Sequence, residues 1–312
     1  MSHRLAFVGQ REYFAYCSLE HPAGGVEPAF FDFRPDAPVA PLLTALEAFA
    51  PDVVLVFRPE IVPAGAFAGL DAVTVGYLTE PLPRPGGNGH PDLDIRMGNL
   101  RRTDPHNFDR IASFDPLVVP TVEEVVPVWR SFPIPVSDRF FAAPRPATGP
   151  PRLLFTGRST GHREAFLGPV KKDFDCIHLA HGVTDDRLIE FMGEVDIGIN
   201  LHNEPYPTFE NRVSVYLAAG LLVLTEPLSP RHGLIPGVDL VEADEPWKLW
   251  DVVRQVARAP DAFAGVRANG HRKAQRFRAS RVYPALVRDV LADVALFGTP
   301  RRPPSTVTVT PA

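Results

Sequence analysis

The chain has 312 residues, of which 45% are hydrophobic and 22% charged, and its formal net charge is −5. That length accommodates two domains with proper cores, and the composition excludes a disordered or collagen-like chain. The acidic balance removes the electrostatic reason for a nucleic-acid partner, while Cys17 and Cys176 lack metal-ligand spacing and are too few for a disulfide framework.

The opening residues lead directly into a short strand rather than a signal sequence. The longest apolar run is too short and too interrupted to span a bilayer, so a cytoplasmic protein with no integral membrane segment is expected. Strands are predicted over residues 5–8, 29–33, 53–57, 72–77 and 117–119, with a helix over 41–50 leading into the third. Strands separated by helical stretches predict a parallel sheet. Residues 81–91 hold too many Pro and Gly for a regular element and read as a surface loop or lid. A second break at 142–151 has linker composition. It separates a first Rossmann-like domain over 1–142 from a second over 150–283.

After the break the alternation restarts. A strand over 152–156, a helix near 162–170 and a strand over 176–179 come first. Thr184, Asp185 and Asp186 then open a helix that Gly193 closes. A strand over 196–200, a helix over 209–219 and strands over 221–225 and 239–241 follow, and helices dominate from 245 to 297. Residues 284–297 are expected to pack back toward the first domain, and 298–312 to form a disordered tail. The fold class is α/β, with two Rossmann-like parallel sheets facing across a cleft. Ligands of such sheets bind beyond the carboxyl ends of the strands, which puts residues 9–11, 157–163, 181–183 and 200–212 on cleft-facing loops.

The stretch from Asn200 to Gly220 is the most informative. Pro205 and Pro207 delay a helix, Thr208 is placed to cap it, and Phe209, Val213 and Leu217 on one face anchor it in a core. Its N-terminus then offers unpaired amides at Phe209, Glu210 and Asn211 to an anion. Arg212 in the first turn opposes the helix dipole by a few tenths of a kcal/mol. Either a bound phosphate or a carboxylate such as Glu210 reverses that sign. The loops starting at Gly9 and Gly157 match neither a dinucleotide fingerprint nor a Walker loop, yet Arg158 and Arg163 present forked donors suited to a diphosphate. His181, Gly182 and Val183 are placed to meet a nucleobase edge, with Gly182 permitting close approach. Asp92 and Asp94 have the spacing of a metal-binding pair but sit beside His90 in the Gly/Pro-rich loop, so a solvated acidic loop is the stronger reading. The basic residues between Arg267 and Arg281 read as a solvated helix face.

Asp196-Ile-Gly-Ile-Asn-Leu-His202, Thr208-Phe-Glu-Asn-Arg-Val213, Leu217-Ala-Ala-Gly220 and Leu224-Thr-Glu-Pro227 together resemble the C-terminal domain of GT-B glycosyltransferases, in particular the bacterial CgeB-like group. The strong part covers residues 150–255. The resemblance implies a nucleotide-diphosphate sugar as donor substrate, with no cofactor and no metal. Gly157 and Arg158 match the loop after the domain's first strand, His181 and Gly182 the base-binding loop, and Phe209 to Arg212 the phosphate-facing helix start. Many such enzymes carry a pair of glutamates here, the second of which binds the ribose. The aligned positions in this chain are Pro207 and Val215, with Glu210 near the pair, so either the ribose contacts differ or donor binding has been lost.

The activity expected is transfer of a sugar to an acceptor hydroxyl, on a glycan, natural product or cell-envelope precursor. Arg158, Arg163, Arg212 and the helix amides would stabilise the leaving diphosphate, and His202 or Glu210 would hydrogen-bond the sugar. An inverting enzyme needs a general base from the first domain, for which Glu80 and Asp115 are the candidates. An epimerase or phosphorylase on the same architecture and a non-catalytic scaffold remain open alternatives.

Overall fold

Six parallel strands form the first sheet of the computed structural model, which describes residues 2–145, 149–180 and 183–299. They are β1 (His3–Gly9), β2 (Val26–Asp32), β3 (Val53–Phe57), β4 (Val73–Leu78), β5 (Arg110–Ser113) and β6 (Arg130–Ser131), in the order β2-β1-β3-β4-β5-β6. β3 reads Val-Val-Leu-Val-Phe with every residue buried, as a strand covered on both faces should. One face lies under the helices Val39–Phe49 and Pro91–Leu100 through Leu42, Leu46, Met97 and Leu100. The other face packs Phe7, Phe57 and Val75 against Tyr283, Leu286, Val287 and Val290 of the last helix, Ala279–Phe297. The Tyr283 hydroxyl donates to the Cys17 carbonyl at 2.6 Å and so ties that helix to the first sheet.

The second sheet contains β7 (Leu153–Thr156), β8 (Cys176–Leu179), β9 (Ile197–Asn200), β10 (Leu222–Thr225) and β11 (Val241–Glu242), all parallel, in the order β11-β10-β9-β7-β8. Gly161–Asp173 and Pro246–Arg258 cover one face, and Asn211–Ala218 covers the other. Read from its β8 edge, this sheet has the same order as the first five strands of the other. In both, the strand order reverses beside the first strand, between β1 and β3 and between β7 and β9. Such a reversal opens a crevice at the carboxyl ends of the strands, where ligands bind.

The chain passes twice between the sheets, and the two crossings lie side by side. The Val136 amide donates to the Phe277 carbonyl and the Ala279 amide to the Val136 carbonyl, each at 2.8 Å.

Several sequence expectations are corrected. Residues 117–119 are not a strand: Asp115 accepts the Leu117 amide at 2.8 Å and starts a 3-10 turn, Pro116–Val118, that runs into a short helix, Val119–Val122. The loop expected over 81–91 ends at the helix Pro91–Leu100, which the sequence reading missed. Pro91 is pre-set for its first turn, the His90 ring accepts the Asp92 amide at 3.2 Å, and Asp92 and Asp94 favour the positive pole. Gly193 lies inside the helix Asp185–Glu194, and the strand expected at 239–241 falls on Val241–Glu242. His181, Gly182 and the tail from Pro300 onward lie outside the described residues. No helix among the described residues is long and apolar enough to cross a membrane.

Candidate functional site

β7 ends at Thr156, and the chain turns at Gly157 with φ of +146°. A Cβ at Gly157 would stand 3.1 Å from Nη1 of Arg212 and 3.3 Å from Nη1 of Arg163, so the bare backbone lets both guanidiniums approach. Thr160 caps the next helix by accepting the Arg163 amide at 3.3 Å, which places Arg163 in the first turn. Its side chain turns inward. Nε and Nη2 donate to the Leu201 carbonyl at 3.2 and 3.0 Å, and Nη1 to the Arg158 carbonyl at 3.1 Å. Burial, reinforced by Arg212, lowers its pKa to about 10, which still leaves it charged near neutrality.

Arg212 is 9% exposed, donates from Nη1 to the Thr156 carbonyl at 2.8 Å and pairs with Glu210. Arg163 Nη2 is 3.6 Å from the other oxygen of the same carboxylate. Two buried cations therefore share one adjacent carboxylate at the crevice between β7 and β9, with Glu204 acting on Arg163 from further away.

The helix that follows β9 starts at Asn211, later than the sequence predicts, with Glu210 as its N-cap residue. Thr208 does not cap it, and its buried hydroxyl has no hydrogen-bond partner among the described residues. Phe209 is 2% exposed and packs on His232 and Phe277, so only its backbone is available to a ligand. The side-chain amide of Asn211 donates to the Tyr16 hydroxyl of the first domain. The pole is thus not bare, since the carboxylate of Glu210 stands beside it between the two arginines. Nor is Arg212 an exposed first-turn cation, because its guanidinium folds back under the Gly157 loop.

The loops after β7, β9 and β10 enclose a cleft of about 540 Å³, lined by Arg158, Thr160, His162, His202, Pro207 and Glu226 among others. Arg158 is the predicted cation that reaches this cleft, with its side chain 49% exposed. It pairs with Asp92, which also accepts from Asn203 at 3.3 Å, so that carboxylate meets a guanidinium and an amide while its side chain stays 28% exposed. Among the described residues, no group of three or more His, Cys, Asp or Glu is placed to hold a metal. His202 is 5% exposed, and its Nε2 lies 2.8 Å from the Pro227 carbonyl. Val183 lies in the loop before the helix Asp185–Glu194 and is not among the residues lining the cleft.

A second cleft, of about 510 Å³, opens at the matching crevice of the first sheet and includes Tyr16, Arg58, Glu80 and, from the second domain, Asn211. Burial raises the Glu80 carboxyl above its ordinary value, with Arg96 and Arg58 pulling the other way. Its nearest cation is Arg96, at 3.4 Å. Asp115 does not reach either cleft. It is 1% exposed and held by Arg84 at 2.8 Å and by the Leu117 amide.

Residues to which the sequence assigns no role complete the site. Glu226, directly after β10, accepts the His202 amide at 2.7 Å and faces His162 Nε2 at 2.9 Å. Its place at the end of a strand was the available signal. Arg84 and Arg96 had none, because they come from the stretch 81–100 and act across the domain boundary. Arg96 meets Glu204 at 2.9 Å. Arg84 donates to the Pro207 and Ser229 carbonyls at 2.8 and 2.6 Å.

No protein-family model and no curated protein sequence matches the chain. Solved structures do. The Anabaena protein HepE in complex with UDP and glucose is similar at a TM-score of 0.56 and 12% identity, over 94% of this chain and 99% of that one. Sucrose-phosphate synthase from Thermosynechococcus elongatus is similar at 0.58 and 9%, over 93% and 100%. A UDP-forming trehalose-phosphate synthase from Burkholderia xenovorans is similar at 0.54 and 11%, over 95% and 100%. At such low identity these likenesses speak to architecture alone, and the architecture they share with this chain is the GT-B fold.

Proposed function

We propose that the chain is a glycosyltransferase of the CgeB-like group that moves a sugar from a nucleoside diphosphate to an acceptor hydroxyl without a metal. One observation carries this reading: the buried pair Arg163 and Arg212 with the single carboxylate Glu210, beside Arg158, at the crevice where the fold seats its ligands. Two guanidiniums that share one carboxylate keep donors for a further anion in a partly buried site, and a diphosphate is such an anion. The existence of HepE, a protein of the same fold, in complex with UDP and glucose supports the choice of ligand.

In this reading the diphosphate lies against Arg158 and the amides at 209–211. Arg163 and Arg212 act from beneath the Gly157 loop. As the bond from the sugar's anomeric carbon to the diphosphate breaks, charge builds on the leaving oxygen, and fixed cations stabilise it. The acceptor approaches from the first domain, where Glu80, a carboxyl already raised by burial, takes its proton if the reaction inverts. Asp115 is not proposed as a base.

Titration calorimetry with UDP, GDP and TDP tests the reading. Arg158→Ala is the informative variant, because that half-exposed side chain can be removed without opening the core. Loss of affinity by about tenfold, or ~1.4 kcal/mol, at an unchanged melting temperature is expected. A wild-type chain that takes up none of the three nucleotides overturns the proposal. Consumption of a bound nucleotide-sugar without any acceptor would instead indicate an epimerase.

A further inference from the structure

The cleft beside Arg158 has a second end whose chemistry is the reverse of the first. Glu226 lines it and is 8% exposed. One carboxylate oxygen holds the His202 amide, and the other faces His162, whose side chain is 53% exposed and rests against the Phe166 ring. Glu204, in the same cleft, is already matched by Arg96. Glu226 has no Arg or Lys within ion-pairing distance among the described residues. A carboxylate so enclosed calls for hydrogen-bond donors, and the lone pairs facing His162 are the ones a ligand can reach. Pro207, one of the positions where the resemblance leads one to expect a glutamate, lines this cleft and offers no oxygen to a hydroxyl except its backbone carbonyl, which Arg84 already occupies. Val215, the other, is 3% exposed in the core.

We propose that Glu226 is the sugar-recognition carboxylate of this chain. With phosphate on Arg158, the transferred sugar lies along the cleft, displaces His162 and donates hydroxyl hydrogens to the Glu226 oxygens. The inference rests on the donor reading above and deepens it, because it names the class of sugar. A fixed carboxylate with no Arg or Lys beside it favours a neutral polyhydroxyl ring and repels a uronic acid.

The test compares the full-length wild type with Glu226→Gln, which keeps an oxygen for the His202 amide. Calorimetry is run with UDP, GDP and TDP, with their glucose conjugates, and with UDP-glucuronate. The expected result is an affinity for the bare nucleotide within twofold of wild type, a roughly tenfold loss for its glucose conjugate and a narrower preference for glucose over glucuronate. Equal losses for nucleotide and conjugate, or no loss for either, overturn the subsite while leaving the nucleotide site standing. A wild type that binds no nucleotide fails the donor reading first and takes the subsite with it. A melting temperature that falls in Glu226→Gln while the binding preference stays unchanged assigns Glu226 to holding the β9 loop and overturns the proposal.

Discussion

Glu210 lies between two guanidiniums, and that placement governs how it titrates. Burial alone would raise its carboxyl, but Arg212 and then Arg163 outweigh burial and hold it below the ordinary glutamate value. A carboxyl depressed on folding contributes stability that is complete above the unfolded value of about 4.3 and is lost as pH falls through the folded one. Urea denaturation from pH 7 to pH 3 should therefore show the gap between wild type and Glu210→Gln closing in the acid range. A gap that stays constant would separate the carboxylate from the arginines. At neutral pH, stripping the anion from a fully buried pair costs roughly 3–5 kcal/mol, and less is expected here because the Glu210 side chain is 19% exposed. Gly157 belongs to the same cluster. Gly157→Ala forces a side chain into a left-handed conformation and against both guanidiniums, so a loss of about 1–3 kcal/mol in a denaturant titration is expected. Arg212→Ala should lower the melting temperature as well, since Arg212 holds the Thr156 carbonyl and is not a free surface cation.

Helices and strands were legible where their periodicity is strong. The strands at 53–57 and 176–179 fall where the sequence puts them, because a short apolar run between turn signals has few other solutions. The helix Pro91–Leu100 was obscured by the Pro/Gly-rich stretch before it. Its own capping signals, Pro91 at the first position and acidic residues in the first turn, were nonetheless present. Packing between elements is a different matter, and Gly270 shows why. In isolation Gly270→Ala would gain about 1 kcal/mol of helix propensity. In the fold, however, the new Cβ would lie 2.3 Å from the Asp239 carbonyl and 2.6 Å from Leu217. A backbone oxygen has little room to yield, so a net destabilisation of about 1–3 kcal/mol is expected in thermal or urea denaturation. A gain in stability would show that the helix Ala264–Ala274 can shift outward at no cost.

At the scale of the whole molecule, a few side chains tie the two sheets together over the loop that follows β9. Arg84 reaches from the first domain to the Pro207 and Ser229 carbonyls, lies 4.2 Å over the Tyr206 ring and neutralises buried Asp115. The Tyr206 hydroxyl answers with a bond to the Leu82 carbonyl at 2.6 Å. Removing Arg84 takes away both the bridge and the cation of Asp115. Arg84→Ala is expected to enlarge the radius of gyration in solution scattering and to expose the 81–90 stretch to protease. An unchanged radius would mean that the crossing at Val136 and Ala279, with the Arg96–Glu204 pair, suffices to hold the domains closed.

The sequence by itself determined that there are two parallel α/β sheets and which loops end at their carboxyl edges. Those properties follow from hydrophobic period, turn chemistry and the spacing of elements, all written within short stretches of chain. It also singled out Arg158, Arg163, Glu210 and Arg212, because charges in first turns and strand-end loops stand out locally. Only the tertiary structure decided which of these reach the cleft and which are buried beneath it. Arg158 meets Asp92 from 66 positions away, and Arg84 meets Pro207 from 123. Pairings at that range depend on how one sheet is set against the other, and no local pattern records that.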